Sequence, residues 1–214
     1  MHKIFGNLHI ANILIRVVVN FIIILGSKAH SVTFNYYDNG IVIFGEILPK
    51  DDKVFESFLN AATKTIFLSS IGGHPPTAMA VGKIIRNRHL STVVVNNDIC
   101  ASSCALIWLA GQPALLGPDS KIGLHSAYLK YDDNFIEEDK VTNLLIRDYL
   151  NWLGYSANVA NYATQAAPNS MKWLSQEDAD NLHIAYGIIP DENARKATLY
   201  DTIPQPFVRS KVSR

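Results

Sequence analysis

Between residues 32 and 116 short strand-type runs alternate with helix-type runs, and the connections that leave the strands carry the glycines, serines and cysteines. Residues 32–37 and 41–47 read as two strands around Asp38-Asn39-Gly40, where Asn-Gly favours the positive backbone torsions of a tight hairpin. Pro49-Lys50-Asp51 opens a helix with Val54, Phe55, Phe58, Leu59 and Ala62 on one face. Residues 65–68 form a buried-type strand, Gly72-Gly73-His74-Pro75-Pro76 a loop, and residues 77–88 the next helix. The pattern repeats with a strand at 92–95, a loop at 96–101, a helix at 102–110 and a short strand at 114–116. Such alternation predicts an α/β fold with a largely parallel sheet, whose ligands sit at the carboxyl ends of strands. The loops around Gly72 and Ser102 both lie at such ends.

Beyond residue 125 the character turns helical. Val141, Leu144, Leu145, Tyr149 and Trp152 follow helical spacing until Gly154, while Glu137, Glu138, Asp139 and Asp148 keep part of the surface wet. This helix is expected to be an assembly surface, because Tyr149 and Trp152 are costly to expose. A second helix is expected over 157–165, Pro168-Asn169-Ser170 reads as a loop, and Ser175 caps a third helix. Residues 191–214 lack periodicity and read as a partly ordered tail.

With 214 residues and 48% of them apolar, the chain can bury one sizeable core, and one domain is expected. The formal charge is zero and no basic patch interleaves with aromatics, so nucleic acid is not an expected partner. The first 29 residues read as an export signal. Lys3 and Arg16 precede the apolar run from Val17 to Leu25, and Ser27 and Ala29 occupy the small positions of a cleavage site after Ala29. The alternative is a membrane anchor, but Asn12, Arg16 and Asn20 interrupt any longer apolar frame. Cleavage removes Lys3, Arg16 and Lys28 and no acid, which leaves 16 basic against 19 acidic side chains. The expected location is periplasmic or secreted.

Three pieces carry chemistry. Ser69-Ser70-Ile71-Gly72-Gly73 follows a buried strand, and its glycines can turn backbone N–H groups toward a substrate carbonyl. Ser102 sits on a tight strand-to-helix connection, where free N–H groups and the helix dipole favour a developing anion. His125 ends the strand-type run Lys121-Ile122-Gly123-Leu124 and can act as a base. Each also has a plain structural reading: a turn for the glycine pair, a helix cap for Ser102 or Ser103, and a rim residue for His125. In this order they form an oxyanion-stabilising turn, a nucleophile and a base.

These segments resemble the proteolytic subunit of the Clp protease. Ser70-Ile71-Gly72-Gly73 is similar to its Ser-Pro-Gly-Gly turn, with Thr77-Ala78-Met79-Ala80 continuing into a helix. Ala101-Ser102-Ser103-Cys104, closing with Ala110-Gly111, resembles its nucleophile segment, and Pro118-Asp119-Ser120 resembles the Pro-Asn-Ser ahead of its histidine. Trp173-Leu174-Ser175 with Glu177, Ala179 and Gly187-Ile188 is similar to its final motif, so the likeness spans roughly residues 41–190. It implies the ClpP/crotonase superfamily: repeated ββα units, a largely parallel sheet and a C-terminal helical region over 30–190. It also implies Ser102 as nucleophile, His125 as general base, and Gly72 or Gly73 with the Ser103 N–H as oxyanion hole. The exported form looks like periplasmic relatives of that subunit.

Two positions depart from the pattern. Cys104 stands where the family has glycine, and Met171 stands where it has the third member of the triad. A methionine cannot orient an imidazole as a carboxylate does, so Asn169 or Ser170 is the candidate to hold His125, or the site works as a Ser-His dyad. An even cysteine count in an exported chain suggests a Cys100–Cys104 disulfide, which requires Cys100 to lie ahead of the helix. A Cys-x-x-x-Cys pair without histidines is a poor metal site, and no metal or cofactor is expected. The expected function is hydrolysis of a peptide or other acyl bond by a homo-oligomer with no ATPase partner. The competing expectation is a non-catalytic binding or scaffold protein that keeps the fold. An acyl-CoA enzyme of the crotonase branch is disfavoured by the export signal and by a Ser-His pair that chemistry does not need.

Overall fold

The computed structural model describes residues 32–37, 39–131 and 136–189. The segments read as export signal and C-terminal tail lie outside them. Strand β1 (Thr33–Tyr37) pairs antiparallel with β2 (Gly40–Phe44), Tyr37 opposite Gly40. From β2 onward the sheet is parallel, running through β3 (Thr65–Ser69), β4 (Ser91–Val94), β6 (Ala114–Leu116) and β11 (Gly187–Ile188). A strand covered on both sides must be apolar at consecutive positions rather than alternate ones. Accordingly, Ile41 and Ile43 join the main core with Ile66 and Leu68, while Val42 packs with Val93 and Val95 on the other face.

Helices cover the first face. They are α1 (Asp51–Phe58), α2 (Pro75–Asn87), α3 (Ser103–Trp108), α4 (Lys140–Trp152), α5 (Ala157–Gln165) and α6 (Gln176–Leu182). Helix α2 starts two residues earlier than the sequence reading, because its leading prolines need no N–H acceptor and His74 caps it by accepting from the Thr77 N–H. Trp108 is fully buried, and its indole N–H donates to the Leu115 carbonyl.

A second sheet carries the chemistry. Strand β5 (Ile99–Ala101) runs parallel to β7 (Lys121–Leu124), which pairs antiparallel with β10 (Lys172–Trp173). The reading of 96–101 as a loop is corrected here. Three residues of it are a strand, held by a bridge from Cys100 to Ser70 on one side and by β7 on the other. Strands β8 (Tyr128–Lys130) and β9 (Ile136–Glu138) form an exposed hairpin.

Helix α4 also departs from the expected orientation. Its core face is Asn143, Ile146, Tyr149 and Leu150, and Tyr149 is a core residue whose hydroxyl donates to the Leu106 carbonyl. Gly82 of α2 permits this, since a β-carbon there would collide with the Tyr149 hydroxyl. Val141 and Leu144, read as part of the apolar face, are instead 68% and 61% exposed, and Trp152 is 48% exposed. The helix is apolar on two sides, and periodicity alone could not tell which one the core would take.

Candidate active site

The turn after β3 and the start of α3 are built against each other. Gly72 and Gly73 have φ of 102° and 138°, conformations that side chains rarely adopt. A β-carbon on Gly72 would lie 2.7 Å from the Ser102 β-carbon and 3.0 Å from the Ser103 nitrogen, and one on Gly73 would strike the Ile47 backbone. Ser70 ties the turn: its hydroxyl accepts from the Gly72 N–H at 3.0 Å and donates to the Gly45 carbonyl.

This geometry separates the two glycines. The Gly72 N–H is spent on Ser70 and its carbonyl on the Ile47 N–H, so Gly72 shapes the turn and is not a free donor. Among the described residues, the N–H groups of Gly73 and Ser103 have no internal acceptor. Those two are available to a carbonyl oxygen that develops negative charge. Gly72→Ala is expected to dislodge Ser102 and suppress its reactivity by about 10²-fold, the scale of a misplacement near 1 Å. Labelling kinetics of Ser102 with a fluorophosphonate probe check this.

Ser102 occupies φ 56° and ψ −128°, forced by the reversal from β5 into α3. For a non-glycine residue this backbone costs on the order of 1–3 kcal/mol, and such strain is held only where the surroundings over-determine it. They do so here. The Ser102 N–H donates to the Gly123 carbonyl, the Ala101 N–H to the Ser70 carbonyl, and Cys100 and Cys104 are joined by a disulfide. The turn presents Ser102 to a cleft of about 430 Å³, also lined by Gly72, Gly73, His74, His125, Tyr128 and Lys130. Ser103 points the other way. Its hydroxyl is buried without a hydrogen-bond partner among the described residues, and of the two serines Ser102 alone lines the cleft.

His125 lies just past β7 and stacks on Tyr128, ring centroids 5.7 Å apart. Its Nδ1 is 2.8 Å from the Ser126 carbonyl. A carbonyl only accepts, so Nδ1 carries the proton and Nε2 keeps the lone pair a base requires. Asn169 and Ser170 do not take the orienting role expected of them. The Ser170 N–H closes its own turn onto the Ala167 carbonyl, and among the described residues neither side chain bonds to His125. The β10–β7 ladder pairs Trp173 with Gly123 and ends with Lys172 opposite Leu124, so Met171 and His125 are the residues just beyond its last pair. Among the described residues no hydrogen bond joins Ser102 to His125, as is common in sites without substrate.

Burial holds the His125 imidazolium below the ordinary 6.5, opposed in part by the bond to the Ser126 carbonyl. A general base works when neutral, so a lowered value extends its working range toward acid. If His125 is the base, the acidic limb of kcat/KM should fall below pH 6.5. A pH–rate profile with an activated ester over about pH 4 to 8 measures it. A limb well above 7 would remove His125 from the role of base.

Asp98 is the residue sequence reasoning missed. It is buried behind the turn, accepts a hydrogen bond from the Ser69 hydroxyl at 3.0 Å, and burial raises it to about 6 despite that bond. Its other oxygen has no partner among the described residues. An aspartate in Asn-Asn-Asp ahead of a strand carries the signal of a surface turn, and nothing local marks it as buried. A larger cavity, about 560 Å³ and lined by Arg86, Tyr155 and His183, holds neither Ser102 nor His125.

Two solved structures are among those similar to this chain in fold. Both are of the 1510-N membrane-bound stomatin-specific protease: a serine-to-alanine mutant, and a lysine-to-alanine mutant in complex with a substrate peptide. The first has a TM-score of 0.56 at 22% identity, covering 71% of this chain and 79% of that one. The second has a TM-score of 0.56 at 19% identity, covering 72% and 75%. The chain shares the fold of this protease. No protein-family model matches the sequence, and no curated protein matches it significantly. Within this fold, the turn at Gly72, the reversal at Ser102 and the end of β7 at His125 meet in one cleft.

Proposed function

We propose that this protein is an exported serine peptidase of ClpP-like fold, with Ser102 as nucleophile and His125 as general base. The observation that carries this reading is the positive-φ reversal at Ser102, strained in the manner of a nucleophile elbow and opening into the cleft that His125 lines. His125 Nε2 takes the Ser102 proton as the oxygen attacks the substrate carbonyl. The oxyanion settles on the N–H groups of Gly73 and Ser103, His125 returns its proton to the leaving group, and water then releases the acyl group. The likeness to a peptide-cleaving fold favours a peptide substrate over other acyl compounds. The disulfide favours an oxidising location, in keeping with export.

Labelling the full chain with a fluorophosphonate and mapping the adduct tests this. Modification of Ser102 supports the reading, and modification of Ser103 overturns the assignment. The second reading, a non-catalytic binding protein, is favoured by Met171, a methionine where the resemblance expects the third member of the triad, and failure to label at any pH would select it. Self-association is proposed through α4, whose Val141, Leu144, Leu145 and Trp152 are exposed. A monomer by light scattering at all concentrations would exclude it. No ATPase or nucleic-acid partner is part of this reading.

A further inference from the structure

We infer that the Cys100–Cys104 disulfide completes the Ser102 reversal, so that activity appears only once the chain is oxidised. The inference rests on Ser102 as the nucleophile and on export, as proposed above.

The bridge brackets the serine symmetrically. Cys100 lies in β5 and Cys104 in the first turn of α3, two residues before and two after Ser102. Helix α3 has only six residues and no side-chain cap, so little within it fixes its first turn. What sets that turn on β5 at a positive φ is the Ser102–Gly123 backbone bond and the covalent ring through both sulfurs. Closing the ring removes extended states in which Ser102 could relax. Relaxation would also move the Ser103 N–H away from the Gly72 turn packed against it. In the reduced chain two separate thiols need more room than a bonded pair, and both cysteines are fully buried in the core.

That burial gives the device a direction. Glutathione disulfide can oxidise the pair before α3 docks: one thiolate attacks it, expelling a glutathione thiolate and leaving a mixed disulfide. The second cysteine thiolate then displaces the other glutathione. Two thiols thus lose two electrons and two protons, and one glutathione disulfide becomes two glutathione molecules. Once folded, the sulfurs are out of reach of a reductant. The chain would be made silent in a reducing compartment and set permanently on folding in an oxidising one.

The test refolds the full chain either with dithiothreitol or with a glutathione redox pair, counts free thiols by mass, and measures three things. These are fluorophosphonate labelling of Ser102, kcat and KM on an activated ester, and amide hydrogen exchange across residues 99–106. The bridged form is expected to label about 10²-fold faster, the scale of a small misplacement of a reacting atom. The loss on reduction should fall on kcat with KM unchanged, while β2 to β4 keep their exchange protection. Equal labelling and equal protection of 99–106 in both forms would overturn the inference and leave the hydrolase reading standing. If neither form labels, the hydrolase reading fails, and exchange decides the structural claim: protection lost on reduction upholds it, and unchanged protection overturns it. If the reduced chain does not fold, the Cys100→Ala/Cys104→Ala variant decides by the same measurements. Slow labelling in a folded variant supports the inference, and wild-type labelling overturns it.

Discussion

Met171→Asp is expected to accelerate ester hydrolysis, by up to about 10⁴-fold, the cost of losing the orienting acid in a serine-protease triad. Residues 171 and 125 flank the last pair of the ladder between β10 and β7, Lys172 opposite Leu124. The Met171 side chain lies over Gly123, where a β-carbon would come within 2.7 Å of its sulfur. Residues 123 and 125 face the same side of β7, so a carboxylate at 171 is on the imidazole's side of the strand. There it can take over the Nδ1 hydrogen bond that now goes to the Ser126 carbonyl and stabilise the imidazolium formed during attack. The readout is kcat on an activated ester beside wild type. A fast wild type that Met171→Asp leaves unchanged would mean that another group already orients His125.

Ser102→Ala should abolish fluorophosphonate labelling and reduce hydrolysis to the residue left by binding and the oxyanion donors. In a complete triad, losing the serine costs about 10⁶-fold in kcat. The cost here should be smaller, because the wild-type site starts without its acid. Stability provides a control. Alanine at 102 keeps the same backbone demand, and the serine hydroxyl makes no internal hydrogen bond among the described residues. Thermal unfolding should therefore move little while labelling disappears. A folded Ser102→Ala protein that still hydrolyses the ester would remove Ser102 from the chemistry.

The order of the chemistry was legible because it is written locally. A glycine pair after an apolar strand, a serine at a strand-to-helix junction and a histidine closing a strand each carry a short-range signal. The structure sets Gly72, Ser102 and His125 around one cleft. Less legible was which N–H groups are free. That depends on Ser70, whose hydroxyl reaches Gly72 and Gly45 in a way no spacing records. The partner of His125 stayed open in the sequence for a similar reason: Asn169 and Ser170 have the right chemistry, but the bond the structure shows goes to the Ser126 backbone carbonyl, which no side-chain pattern marks. Helix α4 failed on a symmetric pattern. With apolar residues on both sides, Tyr149 and Val141 look alike in sequence, and the choice between them falls to Gly82 on a distant helix.

The small sheet separates what the fold needs from what the reaction needs. Ser102 and His125 follow directly on two parallel neighbours, β5 and β7, which a bridge from Cys100 to Ser70 ties to the rest of the domain. Met171 comes much later in the chain, just ahead of a two-residue strand, on a side chain only partly covered. A substitution there leaves the other two untouched and disturbs little packing. Position 171 is therefore a place where exchange is expected to leave the scaffold intact, so that the chemistry of the rim can vary independently of the core beneath it.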